Sequence, residues 1–436
     1  MIPTTTTAPV RKIKHLRWYI AGLLFIATTI NYIDRQVFSI LAPDLQEEIG
    51  WSELDYARIV IAFQVSYAIM LLVSGRVLER IGTKLGFTFA IIAWSLAEIG
   101  HAFARTPVGF GVARFVLGLG EAANFPAAVK AIAAWFPASE RASATGIFAS
   151  GVALGAVIAP IIVPLLAAAY GWQLAFILTG LLGFVWLGLW WFLYDEPGVH
   201  PRLTEGERAH ILSDGGRTTE AKIPLGRLLR MRETWAYAVP KALADPIWWF
   251  YLFWLPKFLA TEFNVRGVDV IPYLTMVYIA ADVGSLAVGF ISSALVKRGW
   301  SINAARKGTM AVLGAIMMPS VIAASQISSP WPAMILIAVA CGCHQAWATM
   351  LFTVTSDMFP RGGAGSVTGI GGCLAGFASI ITAELTGQVL NRDPGFYVPM
   401  FMAAAALYPI SLAVLHMLTP RLQPAPVEGV EGKRGS

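Results

Sequence analysis

Long apolar stretches, separated by short polar segments, run along most of this 436-residue chain. Each stretch is about as long as the ~20 residues that a helix needs to cross the hydrocarbon core of a bilayer. Their length and the lack of strict apolar–polar alternation predict helices rather than the strands of a barrel. We therefore predict an all-α membrane protein with twelve transmembrane helices, at 17–43, 53–79, 83–103, 106–136, 140–169, 171–194, 233–261, 270–297, 307–327, 331–358, 364–390 and 396–418.

An internal repeat divides these helices into two groups of six. The segments WFPASERASATGIF and MFPRGGAGSVTGIG align without a gap, so that Phe136 matches Phe359 and Thr145 matches Thr368, both 223 residues apart. Two halves repeated in the same sense predict two pseudo-symmetric six-helix bundles that resemble the major facilitator fold, with substrate held between them. The predicted parts are a cytoplasmic tail (1–16), an N-terminal bundle (17–194), a cytoplasmic linker loop (195–232), a C-terminal bundle (233–418) and a second cytoplasmic tail (419–436).

Composition and charge agree with a membrane protein. The chain is 56% hydrophobic and 13% charged, whereas soluble domains carry about 25% charged residues. The formal net charge is +6, and most of the 32 Lys and Arg residues lie in the tails and in the loops on one side of the predicted membrane. This asymmetry places both termini in the cytoplasm, and it argues against nucleic acid as a partner.

The three cysteines, Cys341, Cys343 and Cys373, all lie in predicted spans. Cysteines at these positions are read as buried apolar thiols rather than metal ligands. The sequence shows no nucleophile–base pair and no metal-ligand spacing, so we expect neither a cofactor nor a metal and do not expect an enzyme.

Four charged residues lie in the middle of two predicted spans: Asp34 and Arg35 in the first, Arg114 and Glu121 in the fourth. A charge at the centre of a span costs at least ~2.5 kcal/mol, so such groups pair, face an aqueous cavity or have a function. Arg114 and Glu121 are seven residues apart, close to two helical turns, and therefore share a face. Asp34 and Arg35 are adjacent and diverge by about 100°.

One arrangement satisfies all four charges. Asp34 pairs with Arg114, Arg35 faces a central cavity, and Glu121 lies deeper on the same cavity wall. Arginine offers a planar fork of donors that suits a carboxylate, and an acid that alternates between an apolar and a cationic environment takes up and releases a proton. This pattern predicts a proton-linked anion site; a static ion-pair cluster that fixes helix packing is the alternative.

Further polar and aromatic residues in the spans are candidate ligands for the hydroxyl groups or the ring of a sugar. Ordinary packing and an interfacial aromatic belt are the alternatives for them. These candidate substrate-binding residues are Gln64, Tyr67, Trp248, Trp249, Tyr251, His344 and Gln345.

Several motifs together resemble one family. NYIDRQ, RFVLGLGEAANFPAA, WFYLFWLPKF and HQAWATMLFTVTSDMFP are similar to the anion:cation symporter family of major facilitators, and to bacterial hexuronate transporters in particular. The resemblance implies that Arg35 binds the substrate carboxylate and that Asp34 and Glu121 are protonated in turn. It also implies that Arg114 is the partner of Asp34 and that Tyr67 helps to bind substrate.

A second family signature lies between the second and third spans. GRVLERIGTK resembles G-x-x-x-D-R-x-G-R-K, with Glu79 where aspartate is usual, and it assigns gating to Gly75, Glu79, Arg80, Gly82 and Lys84. In the family this acid caps the N-terminus of the eleventh helix, an interaction that the helix dipole favours. The interaction closes the cytoplasmic side of the outward-facing state.

The resemblance implies a proton-coupled symporter that works as a monomer in the bacterial inner membrane. It would import a sugar-acid anion by alternating access, above all a hexuronate such as galacturonate or glucuronate. Relatives that carry aldonates have glutamine in the fifth span where this chain has Val152, which disfavours an aldonate. Alternatives are another organic anion (aldonate, glucarate or an aromatic carboxylate), a drug exporter of the same fold, and a non-transporting sensor.

Overall fold

A computed structural model describes residues 12–212, 223–359 and 361–425. The parts of the predicted tails at 1–11 and 426–436, and the part of the predicted linker loop at 213–222, lie outside these described residues. Within the described ranges the regular structure is helical, with one isolated bridge between Ile13 and Leu203. The prediction of an all-α protein is confirmed.

The first half of the chain forms seven helices. In this half α6 packs along α1, α4 packs against α2 and α3, and α7 packs against α3. The bounds are α1 (Leu16–Ile49), α2 (Glu53–Ile81), α3 (Thr83–His101), α4 (Pro107–Glu121), α5 (Asn124–Trp135), α6 (Ala138–Tyr170) and α7 (Trp172–Leu193).

Two short helices, α8 (Glu205–Leu212) and α9 (Leu225–Leu228), lie between the halves. In the second half α13 packs against α11 and α12, and α10 packs against α14 and α15. The bounds are α10 (Arg232–Phe263), α11 (Ile271–Lys297), α12 (Ile302–Ala324), α13 (Pro330–Met358), α14 (Arg361–Arg392) and α15 (Val398–Leu418). A 3₁₀ turn at Gly267–Val270 precedes α11.

Within the described residues, ten helical spans are long and apolar enough to cross a membrane by length and composition. Helices α3 and α10 are not among these ten. They nevertheless take the positions predicted for the third and seventh spans, and both carry ionisable residues that lower their mean hydropathy.

The fourth predicted span is not continuous. Helix α4 ends at Glu121, a turn follows at Ala122 and Ala123, and α5 begins at Asn124. Pro126, which has no backbone N–H to donate, lies in the first turn of α5. The break places Glu121 at the end of α4.

The internal repeat is visible in the backbone. Phe136 and Phe359 each end a helix in an extended conformation, with φ/ψ of −124°/135° and −115°/139°. Each donates its backbone N–H to the carbonyl four residues earlier, on Ile132 and Thr355. The two halves therefore change direction in the same way at equivalent positions.

The linker and the start of α1 are tied together. Glu207 of α8 accepts hydrogen bonds from the backbone N–H groups of Leu16 (3.1 Å) and Arg17 (3.2 Å), which begin α1. The carboxylate also pairs with the guanidinium group of Arg17 at 2.9 Å. A carboxylate at a helix N-terminus satisfies free N–H groups and interacts favourably with the dipole, so α8 stabilises the first turn of α1.

His200, in the loop after α7, closes a local turn. Its Nε2 contacts the carbonyl of Leu193 at 3.0 Å, and its Nδ1 lies 3.1 Å from the backbone nitrogen of Arg202. The second contact needs an unprotonated Nδ1, because the backbone N–H is the donor. Burial lowers the pKa of His200, which favours this neutral form.

The two halves touch at the end of the molecule where α1 and α3 finish. Lys257 of α10 is buried and bonds to Glu53 of α2 at 2.6 Å and to Gln46 of α1. Arg266 pairs with Glu47 nearby, at an exposed position. Because both termini are predicted to be cytoplasmic, this is the predicted outer side, and the ion pairs close it.

We expect Lys257→Met to open the outer side more often. Loss of the ammonium leaves the Glu53 carboxylate without its cation, and breaking a partly buried pair in this way costs about 3–5 kcal/mol. A cysteine in place of Ala57, which is fully buried on α2, reports the opening. Its labelling by a membrane-impermeant maleimide in cells should rise at least ~10-fold.

The matched control is Arg266→Met, which removes an ion pair whose side chains are 42% and 75% exposed. Exposed pairs contribute about 0–1 kcal/mol, so labelling should change less than about fivefold. Equal labelling of the Lys257→Met variant and the parent would show that this ion pair does not hold the outer side closed.

Candidate functional site

Arg35, one of two charged residues at mid-span in α1, pairs with Glu121 at the end of α4. Its Nε and Nη2 atoms both donate to Oε2 of Glu121, at 2.9 and 2.8 Å. Nη2 also donates to the Asn31 side chain at 3.2 Å. Arg35 is 3% exposed and Glu121 is 1% exposed, so the protein compensates the buried cation with one carboxylate.

Aromatic rings surround the guanidinium group of Arg35. Its central carbon lies 4.6 Å from the ring centroid of Tyr32 and 4.9 Å from that of Tyr67. Phe63 and Trp249 follow at 5.4 and 5.8 Å. These distances are within the range of cation–π attraction. Trp249 belongs to α10, so this aromatic cage, formed by Tyr32, Phe63, Tyr67 and Trp249, lies at the boundary between the two halves.

Two glycines of α4 allow the close helix packing that positions Glu121. A Cβ atom on Gly118 would lie 2.6 Å from the carbonyl oxygen of Phe63 on α2. A Cβ atom on Gly120 would lie 2.7 Å from the backbone nitrogen of Trp94 on α3. Small residues let membrane helices approach this closely, and the end of α4 is thereby held between α2 and α3.

The predicted pairing of Asp34 with Arg114 is not present. Among the described residues, neither carboxylate oxygen of Asp34 has a hydrogen-bond partner. Arg114 donates through Nη2 to the backbone carbonyl of Arg35 at 2.8 Å, and its guanidinium group lies 4.7 Å from the ring centroid of Phe38. Spacing within single helices shows which side chains share a face. It does not show how α4 faces α1, and that orientation determines which charged groups pair.

Arg35 was expected to face an open cavity, but it pairs with Glu121 instead. Both hydrogen-bonding edges that it uses are directed at Glu121 and Asn31, and little of the side chain is exposed. Tyr67 and Trp249 do lie beside it, as a shared site requires.

Other candidates from the second half form a separate cluster. The rings of Trp248 and His344 are stacked at 5.7 Å, and Nδ1 of His344 lies 2.5 Å from the hydroxyl of Tyr408. His344 is 1% exposed and Tyr251 is 0% exposed, so both are part of the packed interior in this state.

Two amide candidates differ in burial. Gln64 is 6% exposed, and neither side-chain polar atom has a hydrogen-bond partner among the described residues. Gln345 is partly exposed. The thiols differ as well: Cys341 and Cys343 are buried, but Cys373 on α14 is exposed, which corrects the expectation for that residue.

The predicted gating residues lie at the end of α2 and the start of α3, on the predicted cytoplasmic side. Lys84 pairs with Asp195 at 2.7 Å. Glu79 and Arg80 are exposed, as is Gly75, and Gly82 adopts a φ of 82° that favours glycine. The part of the chain that the structure describes shows no contact between Glu79 and α14, so its capping role stays a prediction for another state of the cycle.

One charged pair in a span was missed. Lys241 and Asp245 of α10 form an ion pair at 2.6 Å, and the ammonium group lies 5.0 Å from the ring centroid of Phe352. The signal was in the sequence, because a lysine and an aspartate four residues apart face each other on a helix. The predicted charged site rests on the first and fourth spans alone, because the charged residues are more densely clustered there.

The geometry of Arg35 and Glu121 allows an exchange of anions. A guanidinium group binds one carboxylate strongly through paired donors, and Glu121 now uses that position. Protonation of Glu121 would remove its negative charge and free the donors for a second carboxylate. Uptake of a proton and binding of an anion would then be one linked event.

The chain is similar in sequence to a known family pattern and to several transporters. The family pattern described as "Major Facilitator Superfamily" matches residues 24–383. The chain is 33% identical to the "Hexuronate transporter" of Escherichia coli K12 over 402 residues, which is 91% of this chain and 92% of that protein. It is 35% identical to the "Galacturonate transporter" of Dickeya chrysanthemi over 345 residues, 78% of this chain and 98% of the other.

A more distant curated relative is the "D-galactonate transporter" of Escherichia coli O6:H1, 28% identical over 96% of this chain and 97% of that protein. Among solved structures, a bacterial homologue of the human lysosomal transporter Spinster, in an inward-facing and unoccupied conformation, superposes with a TM-score of 0.72. It is 20% identical and covers 93% of this chain and 95% of its own, so it supports the fold alone.

Proposed function

We propose a specific activity for this chain, which belongs to the Major Facilitator Superfamily, a family of multi-pass membrane transporters rather than enzymes. The chain imports a sugar-acid anion, most specifically a hexuronate, together with protons. The single observation that carries this proposal is the buried Arg35–Glu121 pair inside an aromatic cage at the boundary of the halves. The similarity to hexuronate and galacturonate transporters supports the substrate class.

Competition for one arginine couples the proton to the substrate. Without substrate, the ionised Glu121 occupies the paired donors of Arg35. When Glu121 is protonated, a substrate carboxylate binds Arg35 in its place, and the net charge of the site is preserved. Neither ligand alone is favoured, because each would leave an uncompensated charge away from water.

The sugar part of the substrate would contact groups already near Arg35. Tyr67 and Trp249 present ring faces, and Gln64 offers an amide without a protein partner. Saccharide rings expose C–H groups on a face and hydroxyls around the rim, so an aromatic face with adjacent hydrogen-bonding groups suits them. His344 and Gln345 lie on α13, on the other half, and we propose that they complete the site when the halves rock together.

Alternating access to the site depends on contacts at the two ends of the helix bundle. Contacts among Lys257, Glu53 and Gln46 join the halves at the predicted outer side, and the end of α2 around Glu79 is exposed at the predicted cytoplasmic side. We propose that the outward-facing state breaks the first set and brings Glu79 to the N-terminus of α14. In the bacterial inner membrane, with both termini cytoplasmic, the inward proton gradient drives import.

We expect purified protein in liposomes to accumulate labelled galacturonate or glucuronate when the outer medium is more acidic than the lumen. Accumulation should fall at least ~10-fold when a protonophore removes the gradient, because the coupled proton then no longer supplies free energy for accumulation. The measurement is uptake with time at two external pH values.

Competition separates the substrate classes in the same assay. Excess unlabelled hexuronate should reduce uptake more than galactonate, glucarate or an aromatic carboxylate does. Stronger inhibition by an aromatic carboxylate would overturn the substrate class, and gradient-driven uptake that ignores the protonophore would overturn the proton coupling.

A further inference from the structure

Beside the Arg35–Glu121 pair lies a second buried ionisable cluster, which we call the outer acid cluster. It consists of Asp34 on α1, Glu98 and His101 on α3, and Arg114 on α4. Each of the four is 0% exposed. Asp34 and Arg114 were expected to be buried together, but nothing in the proposed cycle yet uses Glu98 or His101.

The protein leaves much of this cluster without hydrogen bonds. Within the described residues, both oxygens of Asp34, Oε2 of Glu98, Nε2 of His101, and Nε and Nη1 of Arg114 have no hydrogen-bond partner. Oε2 of Glu98 lies 3.7 Å from Nδ1 of His101, beyond hydrogen-bond distance. Glu98 Oε1 lies 3.5 Å from the hydroxyl of Thr179, which is nearer to the carbonyl of Ala175 at 3.0 Å. Buried polar groups in native proteins are nearly always paired, so a cluster of unpaired ones is a sign of function.

The balance of charges in the cluster restricts how many protons Asp34 and Glu98 carry. The carboxyl group of Asp34 interacts electrostatically with Glu98, Glu121 and Arg114. Glu121 already neutralises Arg35, which leaves Arg114 to compensate both Asp34 and Glu98. One cation balances one carboxylate, and a second uncompensated charge in an apolar interior is costly. Two acids that share a site in this way hold one proton between them.

The remaining neighbour, His101, does not add a second compensating cation. Its Nδ1 contacts the carbonyl of Ala97 at 2.8 Å, and its ring stacks on Phe176 at 4.9 Å. Phe38 and Phe110 lie at 6.4 and 6.0 Å from the same ring. These contacts fit a neutral ring in an apolar setting, at the outer end of α3.

The position of the cluster gives the shared proton a direction. Helix α3 ends at His101 on the outer side, and Glu98 lies about one turn further in. The guanidinium group of Arg114 interacts electrostatically with Glu98 and Asp34. It also donates a hydrogen bond to the backbone carbonyl of Arg35 at 2.8 Å. The cluster therefore connects the outer end of the first half with the substrate arginine.

We propose that Glu98 is a third proton-carrying residue, which shares one proton with Asp34 beside Arg114 and relays it from the outer side to Asp34. In the transfer the O–H bond of Glu98 breaks and an O–H bond forms on Asp34, so the total charge of the cluster is unchanged. This inference rests on the proposed proton coupling. It assigns the outer half of the proton route to α3, a helix that the pattern of charges in the first and fourth spans did not suggest.

The test in liposomes is the pH dependence of hexuronate uptake by Glu98→Gln. The amide cannot share a proton, so Asp34 faces Arg114 without a like-charged neighbour and ionises more readily. The pH of half-maximal uptake should move down by about one unit or more, while exchange of internal for external substrate at equal pH continues. Glu98→Asp should restore the profile. An unshifted profile, with uptake reduced equally at every pH, would overturn the relay and indicate a structural role.

An infrared measurement makes the test independent of transport. In detergent at neutral pH, the wild-type protein should show the carbonyl stretch of a protonated carboxyl group. Asp34→Asn and Glu98→Gln should each lose that band, since the remaining acid is then balanced by Arg114. Glu384→Gln is the matched control, because Glu384 is a partly exposed acid on α14 and its loss should leave the band.

The two measurements also separate the inference from the proposed function. A wild-type protein that transports hexuronate without any pH dependence, but shows the band and its loss, would overturn proton-coupled import and keep the shared proton. A band that survives both Glu98→Gln and Asp34→Asn would overturn the shared proton, whatever the transport assay shows.

Discussion

We expect the replacement of Arg35 with alanine to abolish the proposed uptake of hexuronate. The guanidinium group supplies the paired donors that now bind Glu121 at 2.8 and 2.9 Å, and in the proposed cycle it transfers them to the substrate. A charge-assisted interaction away from water contributes about 1.5–3 kcal/mol per hydrogen bond, so two of them correspond to at least ~100-fold in substrate affinity. Uptake into liposomes and substrate-dependent thermal stabilisation should both be lost.

The variant needs two controls. Alanine at 35 leaves the Glu121 carboxylate buried without its cation, which alone could destabilise the fold by about 3–5 kcal/mol. The double variant Arg35→Ala/Glu121→Gln removes both charges and should fold, yet still not bind substrate. Arg105→Ala, which removes an arginine bonded to the loop carbonyls of Ala102 and Ala104, should transport normally. Substrate binding by the folded double variant would contradict the assignment of Arg35.

We expect the replacement of Glu121 with glutamine to uncouple the proposed transport from the proton gradient. The amide resembles the protonated acid in shape and charge, so Arg35 is released and binds a substrate carboxylate at any pH. Exchange of labelled for unlabelled hexuronate across the liposome membrane should continue. Accumulation driven by an acidic exterior should fall at least ~10-fold, because the free energy of proton uptake no longer reaches the substrate.

The comparison that decides this prediction is the ratio of gradient-driven uptake to exchange, measured in the same liposomes. A stability control is built in, since a misfolded protein loses both activities together. Full gradient-driven accumulation by the Glu121→Gln variant would show that the proton is carried elsewhere. Loss of exchange as well, with the protein still folded, would make Glu121 a substrate-positioning residue instead.

Much of the architecture follows from local patterns. Apolar stretches of about 20 residues predict helices in a bilayer, and the helices of both halves lie close to the predicted bounds. The repeated FP and TG pairs predict equivalent turns, and Phe136 and Phe359 end their helices with nearly the same backbone angles.

The charges show where such reasoning stops. Spacing within one helix determines which side chains share a face, and Arg114 and Glu121 do lie on the same helix, two turns apart. Spacing does not determine how that face is rotated toward α1. Among the described residues Asp34 therefore has no hydrogen bond to Arg114, contrary to the expected pair, and Arg35 pairs with Glu121. The same limit applies to Glu98, whose importance depends on its neighbours on α1 and α4.

The sequence by itself determined that this protein is a helical membrane protein, built from a duplicated unit, with ionisable groups in the first and fourth spans. These properties depend on hydrophobicity, length and repetition, which are local or additive along the chain. Only the tertiary structure decided which charge meets which, that Trp249 from the second half joins Arg35, and that Lys257 of the second half pairs with Glu53 of the first. Those outcomes depend on how helices rotate and approach each other, and contacts at Gly118 and Gly120 set that approach over distances of a few ångströms.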